Sequence, residues 1–230
     1  MDTATRMKIE AARVALGEVQ SGMTLGLGTG TTAAELVRLL GAALADGTLR
    51  DIRCTCTSES TEQLARSLGI PTFPLAAIAP LDLAIDGADE IDADLRMIKG
   101  RGAALLREKI VEQQAKRFIV IADDSKIVER LGAGTLPVEV TPFARDILES
   151  RFTTMGLSPA IRRKDGAVLR TDEGNVILDV RVPESQDIAD LVAQLRRHAG
   201  VVETGFFPDE ATDAVIAGPG GARWMRKRGR

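Results

Sequence analysis

The sequence predicts an α/β protein: a doubly wound, largely parallel sheet covered by helices, interrupted late by a smaller α+β unit. Three observations point there. Apolar, strand-length runs alternate with amphipathic helical segments up to about Leu131; beyond it strands begin to follow one another directly; and one last apolar run, DAVIAG, stands ready to rejoin the first sheet. With 230 residues, 44% of them hydrophobic, the chain can bury a sizeable core in one domain or two modest ones.

The opening segment TATRMKIEAARVALGEVQSG places Ala11, Val14, Ala15 and Val19 at helical spacing, with Thr3 or Thr5 as the cap and Gly22 as the stop. A strand around MTLGLG, a Gly and Thr turn and the helix AAELVRLLGAAL follow. The alternation continues through the strand IRCTCTS, the helix STEQLARSL, a brief strand near Phe73, the strand LDLAI, the helix ALLREKIVEQQ and the strand RFIVIA. Then LPVEV reads as a strand and TPFARDILESRF as a helix. PAIRRK, GAVLR and NVILDV read as three strands joined by turn clusters at Asp165-Gly166 and Asp172-Glu173-Gly174. The helix DIADLVAQLRRHA and the strand VVETGFF complete a β-α-β-β-β-α-β run, close to a ferredoxin-like split unit with one extra strand. The expected division is residues 1–131 with 208–230 as one domain and 132–207 as the insertion.

Composition excludes several kinds of chemistry. No Tyr, one Trp and six Phe leave little surface for stacking bases, and a sole histidine, His198, rules out a centre with two imidazoles from this chain. His198, at the end of a helix in the insertion, fits an interaction with that helix terminus. Cys54 and Cys56 sit two apart on a strand, where a mutual disulfide would be strained, so they read as reduced small hydrophobes. Arg6, Lys8, Glu10 and Arg13 break up any secretory signal, and no apolar run reaches membrane-spanning length, so a cytoplasmic location without membrane contact is expected. Arg223, Arg226, Lys227, Arg228 and Arg230 make a basic C-terminal run; with no recognition fold beside it, it reads as a solvated tail or oligomer contact, not a nucleic-acid arm.

Three stretches carry chemistry. Gly26-Leu27-Gly28-Thr29-Gly30-Thr31-Thr32 lies between a strand and a helix, where backbone N–H groups, the helix dipole and threonine hydroxyls suit phosphate. Gly28 to Ala33 also fits a dinucleotide pattern, but the acidic residue that pattern needs is displaced, and no Walker lysine follows. Asp86-Gly87-Ala88-Asp89-Glu90-Ile91-Asp92 follows an apolar strand at the sheet's carboxyl end, where ligands gather; a magnesium site and a solvated acidic turn are the competing readings. Lys99-Gly100-Arg101-Gly102 leads into a helix carrying Glu108 early, and the charge at that helix end is expected to help keep the carboxylate ionised, as a general base requires. Arg107, Glu108 and Lys109 read equally well as a surface charge cluster. Asp123-Asp124-Ser125-Lys126 again places polar groups at a strand's carboxyl end.

Together these residues resemble the ribose-5-phosphate isomerase A family: GLGTGTT, SEST, DGADEID, KGRGAALLREK, ADDSK, LPVEVTPFAR, GNVILDV and GVVETGFF match its blocks in order, from about Lys8 to Ala217. The resemblance implies a Rossmann-like domain with an inserted α+β domain, a homodimer or homotetramer, no cofactor, and a sugar phosphate as ligand. By position it implies Glu108 as the proton-transferring base, with Asp86, Asp89 and Lys99 as partners of the substrate hydroxyls and carbonyl. Thr29, Gly30, Thr31, Thr32, Lys126 and Lys8 fall near the phosphate or sugar, and the amides of Gly100, Arg101 and Gly102 near the developing negative charge. Arg101 and Leu106 depart from the glycine and threonine usual there. The activity implied is interconversion of D-ribose 5-phosphate and D-ribulose 5-phosphate through an enediolate. The alternatives are an isomerase or lactonase for another sugar phosphate, or a sugar-phosphate sensor. A sensor fused to a DNA-binding helix-turn-helix lacks room here, since the first strand begins by about Thr24.

Overall fold

The computed structural model describes residues 2–227. The first helix, α1 (Thr3–Leu16), starts from Asp2, whose carboxylate accepts the Thr5 amide at 2.7 Å, and turns out at Gly17. Neither threonine caps it, because an aspartate one position earlier already reaches the free first-turn amide. The main sheet is built from β1 (Thr24–Leu27), β2 (Arg53–Cys56) and β3 (Leu83–Asp86), crossed over by α2 (Thr31–Ala45), α3 (Glu59–Ser67) and a short helix α4 (Leu75–Ile78). Residues near Phe73 make only an isolated bridge from Thr72 to Cys54 instead of a strand.

Next come β4 (Glu90–Ile91), β5 (Met97–Ile98), α5 (Leu105–Glu112) and β6 (Phe118–Asp123). The insertion then supplies β7 (Thr135–Val140), α6 (Arg145–Thr154), β8 (Ala160–Ile161), β9 (Arg163–Lys164), β10 (Ala167–Val168), β11 (Val176–Arg181), α7 (Ile188–Leu195) and β12 (Val201–Thr204). The chain returns through β13 (Phe206–Phe207), β14 (Asp213–Gly218) and β15 (Gly221–Arg226). The six-stranded sheet runs β15-β14-β6-β3-β1-β2, parallel except for the antiparallel edge strand β15.

Strand alternation explains both faces of this sheet. Leu25, Leu27, Leu83, Ile85, Ile119 and Ile121 pack with Ala11 and Ala15 of α1 and Leu36 and Leu40 of α2. The residues between them turn the other way: Ala84, Val120, Ala122 and Ile216 pack with Ile91, Met97 and Phe207 of the small sheet β13-β5-β4. Part of that second face is covered by α5, and closely: a Cβ on Gly26 would lie 2.7 Å from Val111.

The insertion forms an antiparallel sheet in the order β12-β7-β11-β8, the arrangement of a split β-α-β unit, over its own apolar core of Leu136, Val138, Leu148, Phe152, Leu178 and Leu191. Two expected strands divide. PAIRRK breaks at Arg162, giving β8 to this sheet and β9 to a small hairpin with β10. VVETGFF breaks at Gly205, whose amide donates to the Pro137 carbonyl at 2.7 Å while its own carbonyl accepts the Lys99 amide at 2.8 Å. No side chain fits there, since a Cβ would stand 2.2 Å from the Lys99 carbonyl oxygen.

The basic C-terminal run is not a free tail over its described part. Arg223 and Arg226 lie in edge strand β15, and Arg117 stacks over Trp224 at 5.7 Å, while Arg228 and Arg230 lie outside the described residues. Cys54 and Cys56 are free thiols on β2, and burial pushes Cys56 up to about 12, as suits inert packing groups. His198 lies beyond the last residue of α7, its ring 5.9 Å from Phe152, so it packs against the insertion's core.

Candidate active site

At the carboxyl end of β1 the chain turns through Gly28, Thr29 and Gly30 into α2. Gly30 sits at φ +109°, a conformation that favours glycine, and lets the first-turn amides of α2 open onto a cavity of about 330 Å³. Those amides have no partner within a helix, and the dipole of this 15-residue helix adds to them, so this end is built for an anion. Lys8 reaches in from α1, donating from Nζ to Thr31 Oγ1 at 3.0 Å, and Lys126 lines the same wall from the turn after β6. Among the described residues neither lysine forms an ion pair with a carboxylate.

Thr29 differs from expectation as a ligand donor. Its amide donates to Asp86 Oδ1 at 3.0 Å, and its hydroxyl lies 2.7 Å from that of Thr57 and 2.8 Å from that of Ser58. Thr29 thus ties the loop to the start of α3, while Gly30, Thr31, Thr32 and the two lysines line this end of the cavity without such ties to α3. Gly28 allows this arrangement, because a Cβ there would fall 2.0 Å from Asp86 Oδ1.

Across the cavity lies a dry charge cluster. Lys99, 2% exposed, places Nζ 3.0 Å from Asp86 Oδ2, 3.2 Å from Glu112 Oε1 and 3.8 Å from Glu108 Oε2. It donates to the Gly87 carbonyl at 2.5 Å, with the Phe207 ring 5.5 Å away. Burial pushes the ammonium down, and the three carboxylates, Asp86 first, more than reverse this, so Lys99 stays charged.

Glu108 is neither a surface charge nor held in its ionised form by its helix end. It is 3% exposed, and loss of solvent pushes its carboxyl up to about 8, against the pull of Lys99. Helix-end charge is worth less than the desolvation of a carboxylate in a buried wall. Glu112, one turn further along α5, is buried too, and the same loss of solvent raises it well above the usual carboxylate range. Three ionised carboxylates around one ammonium would leave two negative charges uncompensated, so the cluster holds a proton at neutral pH. Glu112 was not singled out from sequence, although its spacing of four from Glu108 puts both on one helix face.

The acidic run after β3 is dispersed instead of clustered. Asp89 faces the cavity and accepts the Arg101 amide at 2.8 Å; Glu90 accepts the amides of Gly132 and Gly134; Asp92 pairs with Arg96. Among the described residues no group of three or more His, Cys, Asp or Glu is placed to hold a metal ion. Asp86 lies behind the wall, 1% exposed, with Oδ1 on the Thr29 and Gly87 amides and Oδ2 beside Lys99. Arg101 stands at the mouth with its side chain 72% exposed, and Leu106 points toward the insertion, beside Glu139 and Thr171. One cavity therefore brings together Lys8, Thr29 to Thr32, Asp89, Lys99, Gly100 to Gly102, Glu108 and Lys126.

A parallel sheet that presents an anion cradle at one end of a cavity and a buried carboxylate with a lysine at the other suits one class of protein: isomerases that shift a carbonyl along a phosphorylated sugar. The family model described as ribose 5-phosphate isomerase A (phosphoriboisomerase A) matches residues 53–221. The ribose-5-phosphate isomerase A of Rhizobium meliloti (strain 1021) is 48% identical over 228 residues, covering 96% of this chain and 98% of that protein. The solved ribose 5-phosphate isomerase from Plasmodium falciparum matches with a TM-score of 0.93 at 36% identity, covering 98% of this chain and 100% of that one. A D-ribose-5-phosphate isomerase solved in complex with phospho-erythronic acid matches at 0.92 and 36%, with the same coverage. The chain belongs to the ribose 5-phosphate isomerase A family.

Proposed function

We propose that this chain interconverts D-ribose 5-phosphate and D-ribulose 5-phosphate, an aldose–ketose step of the pentose phosphate pathway, with Glu108 as the base. The observation that carries this reading is that the buried Glu108 carboxyl and the open amides of α2 share one cavity. Glu108 takes the proton from carbon 2 of the open-chain sugar. The electron pair moves toward the carbonyl, giving an enediolate, and the same carboxyl returns the proton to carbon 1. The charge of Lys99 lies beside the oxygen on which negative charge develops, and the Gly102 amide donates to that oxygen; the Arg101 amide, expected to join it, is taken by Asp89. Asp89, on the wall, contacts a hydroxyl and serves ring opening and the transfer of the hydroxyl proton between oxygens. Asp86, expected to move the proton between the two sugar oxygens, is enclosed behind the wall instead, so in this reading that role passes to Asp89 while Asp86 holds Lys99 and the Thr29 amide in place.

The phosphate sits on the amides of Gly30, Thr31 and Thr32 with Lys8 and Lys126. Binding there, far from the reacting carbons, fixes orientation and so lowers the barrier as well as tightening binding. The relative solved with phospho-erythronic acid supports a phosphorylated sugar-like ligand here. Every proton transfer in this scheme is made by residues of the chain, with no cofactor. We also propose a homodimer or homotetramer, supported by the exposed apolar side chains of Phe143, just before α6, and Ile147, within it, and we propose a cytoplasmic location. The division of the chain into a main domain and an insertion is supported by two sheets with their own apolar cores, but β13 pairs with β5 of the main domain, which favours ending the insertion at β12, before the expected boundary at 207.

Incubating the protein with ribose 5-phosphate in heavy water tests the reading. The expected result is deuterium at carbon 1 of the ketose and loss of hydrogen from carbon 2 of the recovered aldose. Binding with carbon 2 hydrogen fully retained would make the chain a sensor, and exchange only with other pentose or hexose phosphates would change the substrate.

A further inference from the structure

We propose that Arg162 of the inserted domain is a positioning residue for the isomerisation: it holds the Gly100–Gly102 loop in the shape that aims Asp89 and the Gly102 amide into the cavity. This rests on the reading of the site given above. Arg162 stands at the break between β8 and β9, with its side chain only 13% exposed. Its guanidinium fork is occupied on one side by Asp179 of β11, which accepts from Nε at 2.9 Å and also from Nη2. The remaining nitrogen, Nη1, crosses to the main domain and donates to the carbonyls of Gly100 at 2.5 Å and Arg101 at 3.2 Å.

A trans peptide points its carbonyl and its amide in opposite directions. The Gly100 carbonyl is on Arg162, and the amide of the same peptide unit, that of Arg101, donates to Asp89 Oδ2 at 2.8 Å. A continuous chain of hydrogen bonds therefore runs from Asp179 through Arg162 and one peptide plane to Asp89. The next plane repeats the geometry: with the Arg101 carbonyl on Arg162, the Gly102 amide faces the opposite side, where Gly102 lines the cavity. Gly100 takes φ +104° to make this turn, and the Ala103 amide closes it by donating to the same Gly100 carbonyl at 3.0 Å, so Arg162 adds to a local turn the tie that fixes how its peptide planes face the cavity. A lysine cannot replace this arginine, because a single ammonium cannot grip a carboxylate by a fork and reach two carbonyls as well.

The test compares Arg162→Gln and Asp179→Asn with the full-length parent. For Arg162→Gln, kcat on ribose 5-phosphate is expected to fall about 10- to 100-fold, the cost of ångström-scale misplacement. KM, and inhibition by inorganic phosphate, should stay within about threefold, because the anion end is formed by other segments. Arg162→Lys should recover less than a tenth of the lost rate, and Asp179→Asn should lower kcat in the same direction with an arginine still present. Amide hydrogen exchange should quicken about tenfold in the 99–104 segment and stay unchanged at 28–34. An unchanged kcat, unchanged loop exchange, or phosphate inhibition weakened as much as kcat would overturn the proposal. A parent inert toward ribose 5-phosphate would sink the substrate reading instead, and loop exchange would still judge the role of Arg162.

Discussion

The two ends of the cavity treat lysine in opposite ways. Lys8 and Lys126 stand half-buried at an open helix start without a carboxylate partner, whereas Lys99 lies fully enclosed among Asp86, Glu108 and Glu112. An arriving anion needs cations that are wet and uncommitted. Proton transfer needs a carboxylate whose affinity for a proton has been raised, and enclosure with a single shared cation does this. The same side chain serves binding at one end and tuning at the other, and only its surroundings decide which.

The sharpest way to break this comparison lies on α5, where Glu108 and Glu112 are one turn apart. Glu108→Gln should lower kcat by about 10³-fold, the scale of a lost general base, with KM little changed. Glu112→Gln keeps the neutral shape that burial already favours and should leave kcat within about threefold. Equal losses in steady-state kinetics would show that the base is not assigned to one residue.

At the other end, Lys8→Ala should weaken inhibition by inorganic phosphate about tenfold, a change of one charge-assisted contact. A comparable loss should appear in kcat/KM for ribose 5-phosphate and none for phosphate-free ribose. If both substrates suffer alike, Lys8 is not at the anion end.

The smallest effect is on stability. Glu108 holds its proton to about 8 in the folded chain against 4.5 for an ordinary glutamate. Between those values the native state binds more protons than the unfolded state, so this group's contribution falls as pH rises through that window. Melting curves from pH 5 to 9 should show a shallower decline in Glu108→Gln than in the parent. Activity moves the other way, with kcat/KM rising with pH as the base ionises; a parent already fully active at pH 5 would contradict the raised affinity.

Much of this molecule was legible from spacing alone. The Gly-Thr loop announces itself by lying between an apolar strand and an amphipathic helix, and the β-α-β-β-β-α-β pattern pointed to the split unit of the insertion, whose extra strand leaves the sheet for a small hairpin. The two-residue strands at Glu90 and Met97 are too short to leave a periodic signal, and β15 was hidden because arginines on an edge strand read as a solvated tail. Local sequence did not reveal burial of charge. Arg107-Glu108-Lys109 looks like a surface cluster; that Glu108 and Lys109 turn inward depends on Lys99, on Asp86 at the end of β3 and on β12, the last distant in the chain. For the same reason Glu112 went unnoticed; spacing alone did not separate Asp86 and Asp89 from Glu90 and Asp92, which only the family resemblance told apart.

Gly28 has a practical consequence for anyone altering this protein. Because Asp86 occupies the space a methyl group would take, the anion loop and the lysine-bearing wall behave as one casting. Engineering that seeks a new phosphorylated ligand by reshaping this turn should expect turnover to disappear before recognition changes. Selectivity is better sought at the rim, around Arg101, where side chains can vary without shifting that shared joint.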